Sequence, residues 1–126
     1  MQIRPVATGD APQAIGPYSQ AIQASGFVYT SGQIPLDPAT GDLVGGSFED
    51  QVHRVFKNLQ AILTAAGSSF DRVVKATVYV TDLGNFGMLN SIYASYFGDH
   101  KPARTTVEVP ALPKGATVEI DLIALA

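Results

Sequence analysis

An arginine and an acid on separate strands are the residues able to do chemistry. Arg104 opens a β-branched run, and Glu119 and Asp121 alternate with apolar residues near the end of the chain. Successive side chains on a strand point to opposite faces. On that rule Arg104, Thr106 and Glu108 share a face, while Thr105, Val107 and Val109 point the other way. In the last run Val118, Ile120, Leu122 and Ala124 form a core face, and Thr117, Glu119, Asp121 and Ile123 look away from it. A guanidinium can grip a carboxylate through two parallel, charge-assisted hydrogen bonds, and an acid can orient or deprotonate a water. Spacing alone favours a plainer reading, a solvated pair on separate strands that contributes little.

Other catalytic templates are missing. The chain has no cysteine, so it offers no thiol nucleophile, disulfide framework or Cys-zinc site. His53 sits among Gln51, Arg54, Lys57 and Asn58 on the polar side of a helical pattern, and His100 lies in a loop before Lys101-Pro102. Two lone histidines do not make a metal site. There is no phosphate loop or dinucleotide fingerprint opening a helix, and no serine in a nucleophile elbow.

Composition narrows the setting. The length of 126 residues predicts one domain, 1–126. Charged residues make up 15% of the chain, against about 25% in an average protein. Hydrophobic residues reach 46%. So few charges hint that part of the surface is covered by another copy. The eight basic residues are scattered through a chain of net charge −3, which argues against nucleic acid as a partner. No apolar run approaches the roughly 18 residues of a membrane span, and residues 1–5 lack the apolar core of a signal peptide. The expected address is cytoplasmic.

The elements that must position these residues follow from periodicity. Residues 19–24 and 27–31 read as hairpin strands around Ser25-Gly26, and 32–46 as a long irregular stretch. Ser47 is a candidate N-cap, with Glu49 and Asp50 in the first turn. Val52, Val55, Phe56, Leu59, Ile62, Leu63 and Ala66 then trace a helical stripe that Gly67 ends. A strand over 73–80 follows. A second helix opens near Asp82 or Asn85, carries Phe86, Leu89, Ile92, Tyr93, Tyr96 and Phe97, and stops at Gly98. Strands over 104–109 and 117–125 complete a ββ-α-β-α-ββ order. This predicts an α+β layer, one sheet with both helices on one face. The other face then needs a cover, which a partner's sheet would supply.

Four blocks carry a resemblance. They are Ile15-Gly16-Pro17-Tyr18-Ser19-Gln20-Ala21, Tyr29-Thr30-Ser31-Gly32-Gln33-Ile34-Pro35, Pro102-Ala103-Arg104 followed by Val107-Glu108-Val109, and Leu112-Pro113-Lys114-Gly115 leading to Val118-Glu119-Ile120. In this order they resemble the Rid (YjgF-type) family, whose RidA branch comprises reactive intermediate deaminases. The resemblance implies a chorismate-mutase-like fold and a homotrimer with ligand clefts between subunits. It implies that Arg104 grips a substrate carboxylate, that Glu119 handles the attacking water and that Tyr18 acts in the cleft. Ser31, Gly32, Asn90 and Thr106 would contact substrate. Relatives commonly carry a cysteine where this chain has Thr106, and the loop over 98–103 is shorter than in many of them.

The implied reaction is hydrolysis of short 2-imino acids to 2-oxo acids and ammonia, with 2-iminobutanoate and 2-iminopropanoate as substrates. A protonated imine is already electrophilic, so the chemistry asks for no metal and no cofactor. One alternative is a module of the same fold that binds small carboxylates or ketones without turnover. Another is an endoribonuclease or translation inhibitor, against which the acidic balance and scattered bases argue.

Overall fold

A computed structural model describes residues 2–126. The chain runs β1 (Arg4–Val6), β2 (Ala21–Ala24), β3 (Phe27–Thr30), α1 (Phe48–Ala65), β4 (Val73–Val80), α2 (Phe86–Phe97), β5 (Ala103–Glu108) and β6 (Val118–Leu125). The strands form one six-stranded sheet in the order β1-β2-β3-β6-β4-β5. Only β4 and β5 pair in parallel, with α2 as the crossover between them. The expected α+β sheet with two helices is present. It gains β1, a three-residue edge strand in which only Val6 is buried.

α1 starts where local chemistry dictates. The Ser47 hydroxyl accepts from the Asp50 amide and the Asp50 carboxylate accepts from the Ser47 amide, a reciprocal capping box. At the other end Gly67 takes φ +76°, a left-handed conformation that costs glycine nothing. This lets the Ser68 amide donate to the Leu63 carbonyl at 2.8 Å. The stripe Val52, Val55, Phe56, Leu59, Ile62 and Leu63 is buried against Val28, Val78, Ile120 and Leu122 of the sheet. Phe56 stacks on Tyr96 with ring centres 4.6 Å apart, which locks α1 to α2.

The polar side of α1 differs from the sequence expectation. Gln51 and Asn58 are buried, with 7% and 0% of their surface exposed. Gln51 Oε1 accepts from the amide and the hydroxyl of Thr117, at 3.1 and 2.6 Å. Asn58 Nδ2 donates to the Leu36 carbonyl at 2.9 Å, and its Oδ1 accepts from Arg54 Nε. Both side chains satisfy backbone groups of segments folded over the helix, which is why polar residues can be interior there. The start of α2 is also resolved. Asp82 caps a short 3₁₀ turn over Leu83–Asn85 by accepting from the Gly84 amide, and α2 follows at Phe86.

Both helices cover the sheet face made by Ala76, Val78, Val80, Val118, Ile120 and Leu122. The opposite face carries Tyr29, Lys75, Thr77, Tyr79, Glu119, Asp121 and Ile123, all partly or well exposed. Among the described residues, no element of the chain lies over it.

Candidate functional site

Arg104 and its surroundings form one half of the candidate site. Residues directly opposite on paired strands share a sheet face. Arg104 pairs with Ala76 and Thr106 with Val78, so both point toward the helices. There the Arg104 Nη1 donates to Asn90 Oδ1 at 2.8 Å. Its guanidinium carbon lies 4.8 Å from the Tyr93 ring centre and 5.4 Å from that of Phe86. A cavity of about 370 Å³ opens beside it, walled by Tyr93, Phe97, Gly98, His100, Lys101 and Pro102. His100 is tied into this wall through a 2.6 Å hydrogen bond between Nε2 and the Val73 carbonyl. Burial pushes the Tyr93 phenol up, against a smaller pull from Arg104, so it stays a neutral hydroxyl at ordinary pH. The Thr106 hydroxyl is closed off from solvent without a hydrogen-bond partner.

The second half lies elsewhere. Glu119 pairs with Tyr79, and Asp121 with Thr77, on the face away from the helices. Gln33 exchanges two backbone hydrogen bonds with Ile120, which brings the turn through Ser31 and Gly32 against Glu119. A Cβ added at Gly32 would sit 2.9 Å from Glu119 Cδ and closer still to the carboxylate. Only glycine leaves room for the acid here. Ser31 is turned inward, its hydroxyl donating to the Ser19 carbonyl at 2.6 Å. Tyr18 is half exposed on the rim, and its Oη accepts a long bond from the Ile15 amide. Tyr18, Ser31, Gly32 and Glu119 all line a cleft of about 290 Å³. Burial raises the Glu119 pKa above the usual carboxylate value, and the nearby Asp121 charge raises it further. Asp121 is also raised by burial, with Lys75 and a hydrogen bond from Thr77 pulling it back.

The residues expected to act together thus divide into two groups. Arg104, Asn90 and Thr106 sit on the helix side of β5, with Asn90 engaged by the arginine. Tyr18, Ser31, Gly32 and Glu119 form a separate cleft, and the two cavities share no lining residue. Arg104 and Glu119 lie on strands separated by β4 and point to opposite sides of the sheet, so within one chain they do not form a pair.

The family profile described as Endoribonuclease L-PSP matches residues 8–126. A crystal structure of a Rid family protein, YyfA from Yersinia pestis, superposes with a TM-score of 0.97 at 51% identity, covering 99% of this chain and 100% of that one. The chain belongs to the Rid family. A Rid relative from mouse, named 2-iminobutanoate/2-iminopropanoate deaminase, is 48% identical over 120 residues, 95% of this chain and 89% of the relative. A RutC family protein of Pyrococcus horikoshii is 52% identical over 117 residues, 93% of each chain.

Sequence reasoning assigned no role to several side chains around these two clefts of the Rid chain. Phe86 and Tyr93 read as members of an apolar helix stripe, yet they touch Arg104. Gln20 is buried and bonds the amide of Thr8 and the carbonyls of Thr8, Ala11 and Pro12, which fixes the loop that carries Tyr18. Lys114 takes a left-handed backbone, φ +59°, and its Nζ reaches the Gly41 carbonyl across the edge of the cleft. Gln20 and Lys114 stand in the motif blocks that carry the resemblance, which was the signal pointing to them; Phe86 and Tyr93 had none beyond their apolar helix stripe.

Proposed function

We propose that the protein hydrolyses short 2-imino acids, 2-iminobutanoate and 2-iminopropanoate among them, to 2-oxo acids and ammonia. The reaction takes place in the cytoplasm, at sites shared between the copies of a homotrimer. One copy supplies Arg104, with Asn90 and Thr106 beside it, and the next supplies Tyr18, Ser31, Gly32 and Glu119. The observation that carries the reading is the split itself. A held cation with no carboxylate partner among the described residues and a partly buried acid lie on opposite faces of one sheet, so a second copy is needed to bring them to one substrate. The bare sheet face offers the surface for that copy, and the deaminase name of the mouse relative supports the chemistry.

In this reading Arg104 holds the substrate carboxylate and leaves the C=N carbon over Glu119 of the neighbouring copy. Glu119 takes a proton from water as the water oxygen bonds to that carbon, and the C=N electron pair moves to nitrogen. With the imine protonated at the outset, Glu119 returns that proton to nitrogen; the C–N bond then breaks as ammonia leaves with the electron pair, and the hydroxyl oxygen forms the new C=O as its proton goes back to Glu119. Raised above the ordinary carboxylate range, Glu119 is a better base than a solvated glutamate. Positioning supplies most of the rate, because the imine is already reactive.

A coupled assay tests this directly. A dehydratase generates 2-iminobutanoate while a scavenger reports the free imine, and purified protein should speed its disappearance. An unchanged decay would leave a ligand-binding module. The family description favours RNA cleavage as a second reading, and salt-sensitive cleavage lost in Arg104→Ala would support it.

A further inference from the structure

Three residues of α2 meet Arg104, and they fall on one stripe of the helix. Phe86, Asn90 and Tyr93 stand at i, i+4 and i+7. Both ring centres lie within the roughly 6 Å over which an aromatic face attracts a cation. Asn90 Oδ1 takes a hydrogen from Nη1. Phe86 remains 40% exposed, so the core does not require its ring.

The hydrogen bond to Asn90 leaves the Nε–Nη2 edge of the guanidinium untouched. Arginine presents two forks to a carboxylate, one from Nη1 with Nη2 and one from Nε with Nη2. Asn90 accepts one of the two Nη1 hydrogens, which ties up that nitrogen in part, and among the described residues the Nε–Nη2 edge is left whole. An arginine that rotates freely must lose that freedom when it closes on a ligand. One already resting on two rings and an amide has lost it on folding.

We propose that Phe86, Asn90 and Tyr93 are positioning residues that pre-set Arg104, so that its Nε–Nη2 edge takes the carboxylate. The assignment of that edge rests on the reading of Arg104 as a carboxylate grip. The holding of the guanidinium does not.

Two measurements on the whole protein test it. The first uses ¹⁵N NMR of the arginine side chains without ligand. Separate Nη signals for Arg104 are expected, because rotation about Nε–Cζ is hindered, and they should merge in Phe86→Leu. The second compares KM, kcat and the Kd of 2-oxobutanoate. Phe86→Leu should raise KM and Kd about two- to five-fold, the scale of an exposed cation–π contact, and leave kcat within about two-fold. Phe86→Tyr keeps the aromatic face and should restore both. In an Arg104→Lys background Phe86→Leu should change little, whereas a merely structural ring would cost the same in either background. Averaged Nη signals in the unmodified protein overturn the proposal. So does a Phe86→Leu protein with unchanged KM and Kd, or one whose loss lies in kcat. Separate Nη signals in a protein that binds no 2-oxobutanoate would keep the cradle and overturn the carboxylate grip.

Discussion

Gly32→Ala isolates the placement of the Glu119 carboxylate. Gly32 does not use a left-handed backbone, since its φ lies outside the positive range, so alanine can adopt the local chain path. A Gly-to-Ala change at a compatible position stabilises by about 0.4–1 kcal/mol through the unfolded state. The new methyl would nevertheless lie 2.9 Å from Glu119 Cδ and 3.2 Å from its Cγ. Normal carbon contacts need about 3.5–4.0 Å, so the acid must swing away by roughly 1 Å. The moving atoms are the end of a flexible side chain, and the fold therefore bears the change cheaply. Catalysis does not, because a 1 Å misplacement can cost about 10²-fold. Gly32→Ala should keep its urea midpoint and lose kcat/KM for 2-iminobutanoate by about 10²-fold. The double variant with Glu119→Ala should be no worse than Glu119→Ala alone, because the two changes act through one carboxylate. Turnover within two-fold of the unmodified protein would refute the claim that the Glu119 position matters.

Arg104→Ala should lower kcat/KM by about 10²- to 10³-fold, as loss of one member of a buried charged pair does. Arg104→Lys should also be poor, because an ammonium keeps the charge and loses the fork; a lysine variant at full rate would contradict the two-pronged grip. The acid limb of the pH–kcat/KM profile should have its midpoint above 4.5, the ordinary glutamate value, because burial and Asp121 both raise Glu119. Asp121→Asn removes the like charge and should move that limb to lower pH, and a limb that stays fixed would assign it to another group. The same shifts predict a linkage. Folded Glu119 and Asp121 hold protons that the unfolded chain has released, so stability of the separated chain falls as pH rises from the ordinary carboxylate range through the raised values. Asn58→Ala strands the buried Leu36 carbonyl and should cost about 1–3 kcal/mol, read as a lower urea midpoint at constant slope.

Much of the fold was legible because local signals agreed. The α1 stripe, its Ser47 cap and its Gly67 stop are short-range features, and each appears where periodicity and chain geometry put it. β1 was not legible. It is three residues long, carries Pro5 and buries only Val6, so it has no alternation to read. Gln51 and Asn58 looked like surface residues because their partners, Thr117 and Leu36, lie far away in the chain. The site shows the same limit. Alternation correctly put Arg104 with Thr106 and turned Glu119 from the core. Whether those two faces were the same depends on the register of β5 on β4 and of β4 on β6, a long-range property. The contact between Asn90 and Arg104 was hidden for a similar reason, since an asparagine between apolar helix positions carries no mark of what it faces.

Mixing two inactive proteins tests the shared site most directly. Arg104→Ala and Glu119→Ala chains, unfolded together in equal amounts and refolded, should form mixed oligomers. If each site takes Arg104 from one copy and Glu119 from the next, about one quarter of the sites regain both groups by random assortment. Imine hydrolysis should then recover to roughly a quarter of the unmodified rate, while each variant refolded alone stays inactive. A mixture as inactive as its parents, with mixed oligomers demonstrated by mass, would mean that one chain supplies both residues or that the pair does not act together.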